Sequence, residues 1–345
     1  KNTMENQKVI LVSGGLGYIG SHTVVELVKE HDERVVIVDN LDNSSAICFE
    51  RLKQITEKPD NMQFLQLDIK DEREMEAQVF SKFEIKSVIH FAALKAVGES
   101  VKKPLDYYDN NVAGTITLLR LMDKYKVLNF IFSSSACVYG ENPTCKEGDR
   151  IQPLNPYGQT KAMIEQIMKD YAHANKDFSA VALRYFNPIG AHPSGMIGES
   201  PNDIPNNLMP YIMRVANGHL PQLGVFGNDY NTPDGTGVRD YIHVIDLAKG
   251  HTAAMAKQDQ LKGYQVFNLG TGNGTSVLEL VKAFEKASGV TIKYEIQGRR
   301  EGDAEQVLAI PEKANEELGW KTELDIDDMC RDTWKWASQN PNGYE

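Results

Sequence analysis

Val9–Ile10–Leu11–Val12 runs through Ser13 into Gly14–Gly15–Leu16–Gly17–Tyr18–Ile19–Gly20, and Val24, Val25, Leu27 and Val28 follow at helical spacing. An apolar run rich in β-branched residues reads as a strand buried on both faces. Strand, glycine-rich turn and helix together make the phosphate cradle of dinucleotide sites, in which the helix start presents free N–H groups to an anion. In that reading Gly14 makes the tight turn, Gly17 lets backbone approach a pyrophosphate, and Gly20 allows close helix packing. The three-residue spacing departs from the commonest dinucleotide fingerprint, so other residues must carry weight. Asp39 is one of them, closing the second strand Val35–Val36–Ile37–Val38. A carboxylate there accepts from a ribose 2′-hydroxyl and repels a 2′-phosphate, which favours NAD over NADP.

Further strands are readable at Gln63–Phe64–Leu65, Val88–Ile89–His90–Phe91, Phe130–Ile131–Phe132 and Ala180–Val181–Ala182–Leu183, with helix-favouring polar segments between them. This alternation predicts an α/β fold built on a doubly wound parallel, Rossmann-type sheet with right-handed crossovers. From about Phe186 the texture changes, and Pro and Gly become frequent from Pro188 to Gly237. Ser276 and Glu279 form a capping box ahead of Leu280, Val281 and Phe284, and Asp327 to Ala337 also reads as a helix. The expected division is an NAD-binding domain over 1–185 and a smaller α/β substrate domain over 186–345, with some later segments packing back on the first.

The 345 residues, 41% hydrophobic and 25% charged, suit a globular chain with a large core and exclude a disordered one. Lys plus Arg number 37 against 48 Asp plus Glu, a net charge of −11, with no basic patch for nucleic acid. Runs such as Val35–Val38 are too short to span a bilayer, and no secretory signal is evident. Met4 reads as the natural start, behind Lys1, Asn2 and Thr3. Cys48, Cys137, Cys145 and Cys330 are scattered without metal-ligand spacing, so no metal and a reducing, cytoplasmic setting are expected.

Tyr157 has Lys161 four residues on, and Pro156 suits a helix start, so both side chains should share one helix face. Fourteen tyrosines yield roughly one such match by chance, so placement matters more than spacing. The pair lies downstream of Phe130–Ile131–Phe132, whose end carries Ser133–Ser134–Ser135, where a doubly wound sheet holds its ligands. A free tyrosine titrates near pH ~10. A neighbouring ammonium and a cationic nicotinamide would lower that value by favouring the phenolate, and Ser135 could share the proton.

These residues resemble the extended short-chain dehydrogenases, and the longer blocks resemble the UDP-galactose 4-epimerases nearly end to end. The blocks are Phe91–Ala92–Ala93–Leu94–Lys95–Ala96–Val97–Gly98–Glu99–Ser100, Ser133 to Gly140, Arg184–Tyr185–Phe186–Asn187–Pro188, Asn206–Asn207–Leu208–Met209–Pro210–Tyr211, Gly237–Val238–Arg239–Asp240–Tyr241 and Arg299–Arg300–Glu301–Gly302–Asp303. The resemblance implies cofactor contacts at Tyr18, Ile19, Asp39, Asn40, Asn43, Ser44, Asp68, Ile69, Phe91, Ala92, Lys95, Asn110, Ser133, Tyr157, Lys161 and Phe186. It implies a UDP-sugar pocket from Lys95, Ser135, Tyr157, Asn187, Asn207, Leu208, Leu223, Phe226, Arg239, Tyr241, Arg300, Asp303 and Val307. Two arginines suit a diphosphate, since each guanidinium can donate bidentate, charge-assisted bonds. Phe226 taken alone reads as plain core, and Cys137, in place of a usual threonine, as packing. Ala93 stands where the family usually has glycine.

The activity implied is interconversion of UDP-galactose and UDP-glucose by reversible hydride transfer at sugar carbon 4, with tightly bound NAD and a homodimeric state. A 4,6-dehydratase would resemble members carrying Asp–Glu where Ala136 and Cys137 stand, and an NAD-sensing regulator would be expected to lack Tyr157 or Lys161. Val307 aligns where narrow family members carry tyrosine, so turnover of UDP-N-acetylhexosamines is also expected.

Overall fold

The computed structural model describes residues 4, 7–201, 205, 207–300 and 303–345. Asn206, Glu301 and Gly302 of the quoted blocks, and Lys1 to Thr3, lie outside the described residues.

Fourteen strands are described: β1 Lys8–Ser13, β2 Val35–Asp39, β3 Met62–Gln66, β4 Glu84–His90, β5 Asn129–Ser135, β6 Thr144–Cys145, β7 Ser179–Tyr185, β8 Asn187–Ile189, β9 Leu223–Phe226, β10 Val238–His243, β11 Gly263–Leu269, β12 Gly274–Ser276, β13 Tyr294–Gln297 and β14 Gln306–Ala309. Seven of them make one parallel sheet in the order β11-β7-β5-β4-β1-β2-β3. Alternate residues of β1 and β2 feed opposite cores. Ile10, Val12, Val35 and Ile37 join one cluster, while Val9, Leu11, Val36 and Val38 join another. That is why these strands read as unbroken apolar runs.

The chain leaves β1 towards β2 and β3, then crosses back to lay β4 on the other side of β1. Strand order reverses there, and the crevice outside the strand ends at such a reversal is where doubly wound sheets bind ligands. A smaller sheet has the order β12-β10-β14-β6 with β8 also on β10, and β13 pairs with β9. The capping box at Ser276 is formed and opens the helix Val277–Ser288. Among the described residues no helix is long and apolar enough to cross a membrane, and no group of three or more His, Cys, Asp or Glu is placed to hold a metal ion.

Candidate active site

The glycine turn sits at the strand reversal. Gly14 has φ +71°, and a Cβ there would lie 2.6 Å from the Ala92 nitrogen. Only a residue without a side chain lets β1 turn so close to the segment after β4. Phe91 and Ala92 both donate backbone N–H bonds to the Ser13 carbonyl, at 2.8 and 3.0 Å. At Gly20 a Cβ would collide with the Gly14 oxygen at 2.3 Å, whereas at Gly17 it would meet only that oxygen, at 3.3 Å. Gly20 therefore serves helix packing, and Gly17 leaves open space in front of its backbone. Tyr18 and Ile19 begin the helix Tyr18–Val25, and the Tyr18 hydroxyl donates to the Gly190 carbonyl at 2.7 Å.

Asp39 ends β2 and is buried. Its carboxylate accepts from the Leu16 and Leu41 amides, each at 3.0 Å, and from the Ser44 hydroxyl at 2.7 Å. The acid thus ties the glycine turn to the loop carrying Asn40, Asn43 and Ser44. Asn40 and Asn43 are exposed, Ile69 is buried beyond β3 beside Asp68, and Asn110 donates to the Asn111 side chain at 3.0 Å. Lys95 is paired with Glu199 at 2.9 Å, an acid that sequence reasoning did not single out. The open backbone at Gly17, the helix start behind it and the carboxylate at the end of β2 fit an adenine dinucleotide.

Asn155 caps the helix Pro156–Ala174, its side chain accepting from the Gly158 amide at 2.8 Å. Lys161 is buried, donates to the Ser133 carbonyl at 2.6 Å, and lies over the rings of Phe132 at 4.7 Å and Tyr157 at 5.7 Å. The Ser135 hydroxyl, on the last residue of β5, hydrogen-bonds the Tyr157 oxygen and also accepts from the Cys137 amide at 3.2 Å. Before any nicotinamide charge is added, burial pushes the Tyr157 hydroxyl above its ordinary value, and Ser135 only partly opposes this. Burial also pushes Lys161 down to about 7, against the pull of Cys137 and Glu165. Desolvation is the largest influence on both members of the pair. Cys137 is half-buried beside this pair, and burial pushes its thiol up, so it stays neutral there.

One more turn along the same helix face stands Glu165, another residue that sequence reasoning missed. Its buried carboxylate accepts from Arg184 Nε at 2.9 Å and Nη2 at 2.6 Å, from the Ser134 hydroxyl at 2.6 Å and from the Tyr264 hydroxyl at 3.0 Å. These donors come from β7, β5 and β11, so one acid pins the helix bearing Tyr157 and Lys161 to three strands. Continuing the four-residue step from Tyr157 and Lys161 was the available signal.

On the smaller sheet, β10 aligns Arg239 with Val307 of β14, and Tyr241 with Asn187 of β8. The Asn187 side chain donates to the Asp240 carbonyl at 3.2 Å. Asp303 gathers both arginines, with Arg300 bonding it twice, at 2.9 and 3.0 Å, and Arg239 at 3.9 Å. Two cations sharing one acid keep a net positive charge. The Arg300 guanidinium lies 5.3 Å from the centre of the Phe226 ring, which is 40% exposed. Phe226 is therefore surface and not core, whereas Leu223, Tyr241 and Phe186 are buried. Asn207 and Leu208 stand at the start of the helix Leu208–Ala216.

The sequence profile of a family described as GDP-mannose 4,6 dehydratase matches residues 11–333. UDP-glucose 4-epimerase 2 of Arabidopsis thaliana is 56% identical over 98% of this chain and 97% of its own length. The Bacillus subtilis UDP-glucose 4-epimerase is 55% identical over 97% of this chain and 98% of its own. The Bifidobacterium longum UDP-glucose 4-epimerase, solved in complex with NAD+ and UDP, superposes with a TM-score of 0.92 at 51% identity, covering 97% of this chain and 99% of that one.

Proposed function

The chain belongs to the UDP-glucose 4-epimerases of the extended short-chain dehydrogenase family, and from that membership we propose that it interconverts UDP-galactose and UDP-glucose through a 4-keto sugar with NAD bound throughout. The observation that carries this reading is the convergence of Tyr157, Ser135 and Lys161 at the same sheet edge as the Gly14–Gly20 turn. NAD, when bound, supplies the two-electron acceptor that makes oxidation at carbon 4 reversible, and a cation that favours the phenolate. Tyr157 takes the proton of the sugar 4-hydroxyl and Ser135 shares it. Arg239 and Arg300 grip the diphosphate, and Asn187, Asn207, Leu208, Leu223, Phe226 and Tyr241 line the rest of the pocket. The grip is on the nucleotide, which leaves the hexose free to turn and present its other face. The four cysteines are all free, which suits a reducing cytoplasm.

Incubation with UDP-galactose, with and without added NAD, tests this reading by chromatography. UDP-glucose is the expected product. A 4-keto-6-deoxy sugar would mean a dehydratase instead, a reading disfavoured because Ala136 has no acid–base side chain. No turnover at all would mean a regulator.

Substrate breadth extends to the N-acetylated pair through Val307. The side chain is half-buried, packed against the cluster of Val138, Tyr139, Cys145, Phe186 and Ala309. Valine leaves room beside it for an acetamido group, and a tyrosine would fill that room. Val307→Tyr is therefore expected to cut UDP-N-acetylgalactosamine turnover roughly ten- to hundredfold while sparing UDP-galactose. Equal losses on both substrates would sink the assignment.

A homodimer is supported by exposed apolar side chains at Val97 (40%), Val101 (63%), Leu105 (78%), Leu154 (52%) and Met163 (40%). They belong to, or adjoin, the helices Val97–Lys102, Pro104–Tyr107 and Pro156–Ala174, which pack on one another. A monomer seldom leaves such a patch bare. Sedimentation should report twice the chain mass of 38.6 kDa, and a monomer that is fully active would remove the reading.

A further inference from the structure

His251 lies in the helix Val244–Lys257, outside every block that identifies the site, and is completely buried. Its Nδ1 is 2.8 Å from the Leu247 carbonyl oxygen. A carbonyl only accepts, so Nδ1 carries the hydrogen. The ring is neutral, because burial pushes it down to about 4. Nε2 is then a bare acceptor, and it faces the hydroxyl of Tyr185. Tyr185 must donate. Its oxygen in turn receives the Ser133 hydroxyl, while the Ser133 carbonyl receives Lys161 at 2.6 Å. Tyr185 ends β7 directly opposite Ser135, and its hydroxyl lies within electrostatic reach of the Tyr157 hydroxyl. The other side of the imidazole is closed by Phe91, with ring centres 4.9 Å apart.

Resting on the epimerase reading above, we propose that His251 is a positioning residue: its fixed tautomer turns the Tyr185 proton, and with it the Ser133 hydroxyl, away from the catalytic phenol. Every hydrogen in the chain Ser133–Tyr185–His251–Leu247 points outward from the reacting edge. Tyr157 is left as the one phenol there whose proton is free to exchange with substrate. Without the imidazole, the buried Tyr185 hydroxyl lacks its acceptor and turns to the Tyr157 oxygen. A donor on that oxygen competes with the sugar 4-hydroxyl for it and so obstructs the proton transfer.

The test uses the NAD-loaded enzyme and UDP-galactose. His251→Phe is expected to lower kcat roughly ten- to hundredfold, the equivalent of one buried hydrogen bond, with KM and retained NAD unchanged. His251→Gln, whose side-chain carbonyl restores an acceptor near the Nε2 position, should recover most of the rate. In the Tyr185→Phe background, His251→Phe should cost nothing further, because the two act through one hydroxyl. Nitrogen-15 NMR at pH 7 supplies a readout independent of activity. The resonance missing from His251→Gln must report a neutral ring protonated at Nδ1.

A KM effect without a kcat effect, additive losses in the double variant, no rescue by glutamine, or the opposite tautomer would each overturn the proposal. If His251→Phe does not fold, the glutamine variant and the tautomer decide. Absence of turnover in the unmodified enzyme would instead overturn the epimerase reading, whatever the tautomer.

Discussion

Replacing Tyr157 by Phe is expected to remove about two to four orders of magnitude of turnover, the usual contribution of a general base, and to leave NAD bound. The change deletes one oxygen. The ring stays against Lys161, which remains anchored on the Ser133 carbonyl, and the Gly14–Gly20 turn and Asp39 are untouched. Single-turnover rates on UDP-galactose, with NAD content measured after gel filtration, check both halves of the expectation. Near-normal turnover would reject Tyr157 as the base, and loss of NAD would show that the phenol holds cofactor rather than moving protons.

Arg184→Met should destabilise the fold by about 3–5 kcal/mol, because it strips both guanidinium bonds from the fully buried Glu165 and leaves that carboxylate to Ser134 and Tyr264. The double change Glu165→Leu with Arg184→Met should recover much of that loss, since an apolar pair leaves no orphaned charge. Urea denaturation midpoints compare the three proteins. An Arg184→Met protein within about 0.5 kcal/mol of the parent, a value typical of surface changes, would show that other contacts hold the helix. Recovery of stability without recovery of kcat in the double variant would separate the pair's effect on Tyr157 and Lys161 from its effect on folding.

Much of the large sheet is legible because its signals are local. Val9–Val12 and Val35–Val38 are apolar without interruption since both sheet faces are covered, and the glycines between strand and helix mark a turn with no room for Cβ atoms. Asp39 and the Tyr157–Lys161 pair are legible by position relative to strand ends. Buried polar partners are not. Arg184 and Glu165 lie 19 residues apart, and Tyr185 and His251 lie 66 apart, with no spacing rule joining them. The burial that raises the Tyr157 hydroxyl was also hidden, because a sequence displays charges and not desolvation. Phe226 misleads for the opposite reason: a lone phenylalanine reads as core, yet this ring stays at the surface beneath an arginine.

β11 had no strand reading either, with Gln265 and Asn268 interrupting its apolar residues. Its pairing with β7 runs from Gly263 opposite Ser179 to Leu269 opposite Tyr185. That partnership sets a timetable for biosynthesis. Until Leu269 has left the ribosome, β7 is a bare edge displaying Ala180, Val181, Ala182 and Leu183, the kind of edge that recruits other chains. Translation at about 5–20 residues per second keeps it waiting on the order of several seconds. Tyr185 ends that same strand, on the edge that β11 later covers. A nascent polypeptide with six of the seven strands made therefore carries one sticky edge through this interval, and the strand order itself sets how long that edge stays open.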